Sequence, residues 1–258
     1  MERRNWTRDE LILAFNLYCR TQFGRIHNRN PEIIALAKAL GRTPSALSWK
    51  LANFARLDPA LKQRNISGAG HGAKLEKEVW DEFSEDWERL SFESEKLRLN
   101  LLNEPVELNK DEVFPDGKTR DAIVRLRVNQ AFFRSAVLAA YGSKCCITGL
   151  AITELLCASH IVPWSTDVKN RTNPRNGLCL NAFHDRAFDR GFLTITHDFK
   201  VRVSPAVKNV DDPGIEVLLK PFDGATISLP GRFQPDKAFL KYHASHVYRS
   251  AEKGQNVR

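Results

Sequence analysis

The sequence predicts an α+β fold. An all-α, helix-turn-helix-like N-terminal domain is joined by an acidic helix to a mixed domain of short strands and a helix, with extra strands and a helix towards the C-terminal end. Three observations predict it. Residues 1–66 carry repeated helix caps followed by apolar residues at helical spacing. Residues 67–118 pass from a glycine-rich linker into an acidic amphipathic stretch. Residues 119–258 alternate short extended runs, turn residues and brief helical patterns.

The first helix opens at Thr7, which forms a capping-box pattern with Glu10, and Leu11, Phe15 and Tyr18 follow on one face. Asn30-Pro31 reads as an N-cap with proline in the first turn, and EIIALAKAL then stops at Gly41. Thr43-Pro44 repeats the signal and opens SALSWKLANFARL. Two helices joined by Leu40-Gly41-Arg42-Thr43 form a helix-turn-helix pattern, in which the second helix sets its early residues into the major groove of DNA. Ser45, Ser48, Trp49, Lys50 and Asn53 are then the candidate DNA-reading residues, while Ala46, Leu47, Leu51 and Phe54 pack inward. A helical interaction domain that never meets DNA carries the same pattern.

SGAGHGAK, Ser67–Lys74, reads as a linker. LEKEVWDEFSEDWERLSFESEKLRLNLL reads as one acidic helix with Leu75, Val79, Phe83 and Leu90 on its buried face. A spacer or a dimerisation arm is the alternative to a simple solvated helix. From Thr119 the next domain begins. A helix is predicted over Asn129–Tyr141, ended by Gly142, then a turn at Cys146-Ile147-Thr148-Gly149. Extended pieces follow at Glu154–Ile161 and Asn176–Leu180, then a short helix over Ala182–Asp189 ended by Gly191. Phe192–Thr196 and Val201–Ser204 form a hairpin. Ile215–Leu219 and Ala225–Leu229 are predicted as two further strands, and Asp236–Tyr248 as a helix.

Charge is unevenly placed along the 258 residues, whose net value is +8. Met1–Gly70 carries +7, Lys74–Glu112 carries −7 and Lys118–Pro205 carries +7. Two basic segments around an acidic one suit a polyanion such as DNA better than a uniform solubility charge does. No apolar run is long enough to span a membrane, so no membrane partner is expected. The polar MERRNWTRDE start lacks an apolar signal core. With five cysteines, an odd number, this predicts reduced thiols and a cytoplasmic location.

The chemistry concentrates between Cys157 and Gly191, where a histidine, an asparagine and a histidine occur in order at His160, Asn176 and His184. Those residue types suit phosphodiester hydrolysis with one metal ion. The first imidazole can deprotonate water, the amide can fix the loop that aims it, and the second imidazole can hold a divalent cation.

Two β elements and a helix bearing these residues resemble the ββα-metal fold of HNH endonucleases. The likeness extends through Arg125-Leu-Arg127-Val-Asn-Gln130-Ala-Phe-Phe133-Arg134, Cys146-Ile-Thr-Gly149, Ala158-Ser-His160-Ile-Val-Pro163-Trp164, Asn176-Gly-Leu-Cys-Leu180 and His184-Asp-Arg-Ala-Phe-Asp-Arg-Gly191. It resembles the HNH subfamily common in bacterial restriction and defence nucleases. The resemblance implies a metal-dependent DNA endonuclease, with His160 as general base, Asn176 orienting its loop and His184 as metal ligand. The implied partner is double-stranded DNA, and the implied cofactor is a divalent ion, Mg²⁺ by default, with Mn²⁺, Ni²⁺, Co²⁺ or Zn²⁺ also compatible with an imidazole ligand. A single site cuts one strand per visit, so cutting both strands calls for a homodimer or two successive nicks.

One position departs from the pattern. Many HNH enzymes place a metal ligand just before the base, where this chain has Ser159. Asp185, Asp189, main-chain oxygens or water are left to complete the shell, although Asp189 can equally buttress the Gly191 turn. Ser159 is also the residue that favours the other reading, a DNA-binding regulator or nuclease subunit with an inactive HNH unit. An RNA-directed nuclease carries the same basic segments. No C-x-x-C occurs, so no structural four-cysteine zinc is expected. Arg125 and Arg127 are candidate phosphate contacts, with salt bridges to the acidic helix as the alternative.

Overall fold

Residues 4–63, 74–102 and 120–250 are described by a computed structural model of the chain. The described residues are mixed α and β, with helices and two small antiparallel sheets. They divide into two units, Met1–Ala139 and Ala140–Arg258. Most of the expected linker, Ser67–Ala73, and the expected domain boundary at 118/119 lie outside the described residues.

The first unit is helical. α1 (Arg8–Arg20) starts at the Thr7–Glu10 capping box and is buried from Glu10 to Cys19. α2 (Pro31–Ala39) and α3 (Pro44–Leu57) are capped by Asn30 and Thr43 and each begins with proline. Between them Gly41 adopts φ 62°, a left-handed conformation that costs glycine little. α4 (Pro59–Gln63) follows α3 after Asp58, whose carboxylate accepts the Tyr18 hydroxyl at 3.0 Å. Phe15 is the hub of the core. Its ring lies 4.9 Å from Phe54, 5.0 Å from Trp80 and 6.0 Å from Trp87. Such pairs add about 0.5–1.5 kcal/mol each to the burial of apolar area.

The acidic stretch is not one helix but two, α5 (Lys74–Phe83) and α6 (Trp87–Leu102). Asp86 interrupts it by accepting the Arg89 N–H at 3.1 Å, as an N-cap does. α7 (Arg120–Ala140) starts earlier than predicted and packs within this unit. Asn129 there accepts the Ser91 hydroxyl at 2.6 Å, and Phe132 lies 6.4 Å from Trp87.

In the second unit, the turn Cys145–Gly149 leads to β1 (Leu156–His160), which pairs antiparallel with β2 (Gly177–Asn181). The register sets Leu156 opposite Asn181 and His160 opposite Gly177. α8 (Ala182–Asp189) begins directly after β2, with Asn181 as its cap. β3 (Leu193–Ile195) and β4 (Val201–Val203) form the predicted hairpin. α9 (Pro205–Lys208) follows.

The two extra C-terminal strands do not form. Ile215–Leu219 lies mostly in α10 (Pro213–Leu218), because Asp212 caps the Ile215 N–H at 3.0 Å and Pro213 pre-sets the first turn. Among the described residues Ala225–Leu229 makes one isolated bridge, between Lys200 and Thr226. α11 (Lys237–His246) matches the predicted last helix.

Gly191 couples α8 to the end of the described chain. Its φ is 71°, its carbonyl accepts the Arg249 N–H at 3.0 Å, and a Cβ there would lie 2.2 Å from the Val247 carbonyl oxygen.

Candidate active site

His160 ends β1 and is only partly buried, while Ser159 before it is 2% exposed. Successive strand residues point to opposite faces, so the two side chains diverge. The Ser159 hydroxyl is buried with no hydrogen-bond partner, and it is not presented beside His160. The His160 Nε2 lies 2.8 Å from the Arg171 carbonyl oxygen. That oxygen can only accept, so Nε2 carries the proton and Nδ1 carries the lone pair. Trp164 stands edge-on to the ring with centroids 5.3 Å apart, and the Arg171 Nε donates to the Trp164 carbonyl at 2.8 Å. Burial pushes the His160 ring below its ordinary value, against the opposing effects of the Arg171 carbonyl and the Asp185 charge.

Asn176 is 1% exposed and braces the loop between the strands. Its Oδ1 accepts the Val162 N–H at 2.8 Å, and its Nδ2 donates to the Val162 and Asn170 carbonyls, both at 3.2 Å. Its own carbonyl accepts the Ile161 N–H at 2.9 Å. Asn170, held in turn by Asp167 and Asn173, precedes the residue whose carbonyl orients His160. One buried amide therefore fixes both the chain leaving His160 and the chain bringing Arg171 to it.

His184, the expected metal ligand, makes bonds within the protein. It is 2% exposed, its Nε2 donates to the Leu218 carbonyl at 2.7 Å, and its Nδ1 accepts from the Asn181 amide at 3.2 Å. The buried Cys145 thiol lies beside this ring. Burial raises that thiol, but the polar surroundings supplied by His184, Thr148 and the turn's N–H groups outweigh it and bring it to about 6. The bond to Leu218 ties α8 to the end of α10.

Asp185, the next residue, is half-buried and carries the charge that His160 feels. Asp189 is largely exposed, yet local desolvation and then the Asp185 charge raise its carboxyl, while Arg186 and Arg190 oppose the rise. Two carboxylates that repel each other, one of which acts on the His160 imidazole, suit an added cation. Mg²⁺ is commonly held by one or two carboxylates, with water and substrate phosphate completing its shell. Among the described residues no group of three or more His, Cys, Asp and Glu side chains forms a ready metal cage.

Residues 145–196 match the HNH endonuclease family model. The matched region therefore covers the turn, both strands and the loop between them, α8 and β3, the segments that carry His160, Asn176 and Asp185. No curated protein matches the chain. His243, outside the HNH region, is core. Its ring stacks on Phe188 at 3.6 Å and bonds Thr194 Oγ1 and the Phe188 carbonyl, and burial lowers it to about 4.

The DNA-reading candidates on α3 divide. Ser45 and Trp49 are exposed and Ser48 is half-buried. Asn53 is buried and donates to Glu76 at 2.8 Å, and Lys50 forms an ion pair with the same carboxylate. Those two side chains are occupied within the protein. Arg125 lies over the Phe92 ring at 4.3 Å with Glu88 3.9 Å away, and Arg127 is exposed. No helix among the described residues is long and apolar enough to cross a membrane.

Proposed function

We propose that this protein is a metal-dependent DNA endonuclease, serving restriction or antiphage defence, in which His160 activates the water that attacks the phosphorus. The observation that carries this reading is the bond from His160 Nε2 to the Arg171 carbonyl. It orients the ring, and burial shifts the imidazole towards its neutral form.

His160 takes the proton from water at Nδ1. Asn176 acts through the loop, keeping the Arg171 carbonyl behind the ring. Asp185 and Asp189 would hold a divalent ion, and oxygen donors favour Mg²⁺ or Mn²⁺ over the softer ions an imidazole would admit. Bound there, such an ion would supply positive charge to offset the phosphate and the leaving oxygen. Ser45, Ser48 and Trp49 on α3 and Arg127 on α7 are the proposed DNA contacts. Asn53 and Lys50 are set aside because Glu76 holds them.

His160→Ala, assayed on plasmid DNA with Mg²⁺ or Mn²⁺, tests the proposal. Loss of cleavage with DNA binding retained supports it, and cleavage at the native rate refutes it. The inward-turned His184 and the buried Ser159 favour a second reading, a DNA-binding regulator with an inactive HNH unit. Tight binding without cleavage under any divalent ion would favour that reading.

A further inference from the structure

Between the β3–β4 hairpin and α11, all within the second unit, lies an open groove of about 610 Å³. Arg202, Lys237, Lys241 and His197 line it, over a floor that includes Leu240 and Ala238, and no carboxylate lines it. Lys237 and Lys241 fall one helical turn apart on α11, so they share a face. Two of the cations are propped over aromatic rings: Arg202 is 5.6 Å from the Tyr248 centroid and Lys237 is 5.8 Å from the Phe199 centroid. Asp223, which feels the Arg202 charge, is spent on Lys208 and on the Val203 N–H.

Other cations of the same unit are neutralised. Arg175, Lys200, Lys208 and Lys220 each sit beside a carboxylate. Arg202, Lys237 and Lys241 have no ion-pair partner among the described residues. Like charges gathered in a concavity without counter-charges repel one another, and an anion bound there relieves the repulsion. The groove is open to solvent and its cations are spread over a strand and a helix, which suits successive charges along a chain better than one compact anion.

We propose that this groove binds the phosphate backbone of duplex DNA, anchoring the substrate on the catalytic unit apart from the residues that cut it. The proposal rests on the endonuclease reading above. Phosphate contacts of this kind position a duplex without reading its sequence.

The test uses the full chain carrying His160→Ala, so that bound DNA stays intact, and a short fluorescent duplex titrated across a salt series. Removing the cations together, as Arg202→Ala, Lys237→Ala and Lys241→Ala, is expected to weaken binding about tenfold or more at low salt. It should also flatten the dependence of log affinity on log salt by about 0.9 for each phosphate that is no longer neutralised. A matched variant without Lys200, Lys208 and Lys220 is expected to change both far less. Unchanged affinity and slope in the groove variant overturn the proposal, as does an equal weakening in the matched variant. If groove-variant binding is unchanged while the native chain still cuts DNA, the groove falls and the nuclease reading stands. If the native chain neither binds nor cuts DNA, both fall.

Discussion

His160 and Arg171 are joined by a 2.8 Å hydrogen bond from the imidazole Nε2 to the main-chain carbonyl, and this bond decides which ring nitrogen is basic. His160→Ala is expected to slow cleavage about 10²- to 10⁴-fold, the usual contribution of a positioned base, with little change in melting temperature. The ring is held below its ordinary value, so its neutral form survives to lower pH. Cleavage is lost as pH falls through that lowered value. The acid limb of the rate profile should therefore lie below about pH 6.5, the unperturbed value. A limb centred above it contradicts the assignment.

Asn176→Ala removes the acceptor for the Val162 N–H and the donors to two carbonyls in a buried setting. Stability should drop by about 1–3 kcal/mol, the cost of leaving such groups unpaired. The cleavage rate at a temperature where the variant is fully folded should drop as well, because the Arg171 carbonyl loosens. Denaturant melts beside single-turnover rates separate the two effects, and a folded variant with native rates excludes a positioning role.

The neighbours His184 and Asp185 are expected to fail in opposite ways. Asp185→Asn should raise the Mg²⁺ concentration for half-maximal cleavage about tenfold or more and leave the melting temperature close to native. His184→Gln should lower the melting temperature, since it breaks the tie to Leu218, with the Mg²⁺ requirement of the folded fraction unchanged. The reverse pattern would return the metal to His184. Chelation with EDTA should stop cleavage in every active form.

His243 supplies a pH signature in the fold itself. Burial depresses its folded value to about 4, so protonation favours the unfolded chain. Its stabilising contribution is complete above the unfolded value of about 6.5 and is lost as pH falls from there towards 4. At about 1.4 kcal/mol per pH unit the loss is on the order of 3 kcal/mol. Chemical denaturation at pH 7 and pH 4.5 should show this decline in the native chain and a smaller one in His243→Gln.

Gly191→Ala would set a Cβ 2.2 Å from the Val247 carbonyl oxygen at a residue with φ 71°. Backbone cannot yield there as a flexible side chain could. A fall in melting temperature of several degrees is expected, and a native melting curve would show that the Val247–Arg249 segment is not packed as described.

Much of the second unit is legible in the sequence because its signals are local. Asn181 and the period change after Leu180 place α8 within a residue, and turn residues bracket the β3–β4 hairpin. Cap chemistry overrides apolar patterning at two places. Ile215–Leu219 has strand-like composition, but Asp212-Pro213 starts a helix, and Asp86 splits the acidic helix. Side-chain direction is not legible. Spacing brings His184 into the motif, yet its ring bonds the Leu218 carbonyl and the Asn181 amide, and it is the next residue, Asp185, whose charge reaches His160. Nor can spacing show that Glu76, distant in sequence, claims Lys50 and Asn53.

That fully buried Glu76 has a consequence for the surface of α3. The basicity of the helix is set from α5, by a residue that touches no solvent. Neutralising that one carboxylate would hand a cation back to the exposed face beside Ser45 and Trp49. The salt sensitivity of anything docking there can thus be tuned from inside the protein, with every surface residue left as it is.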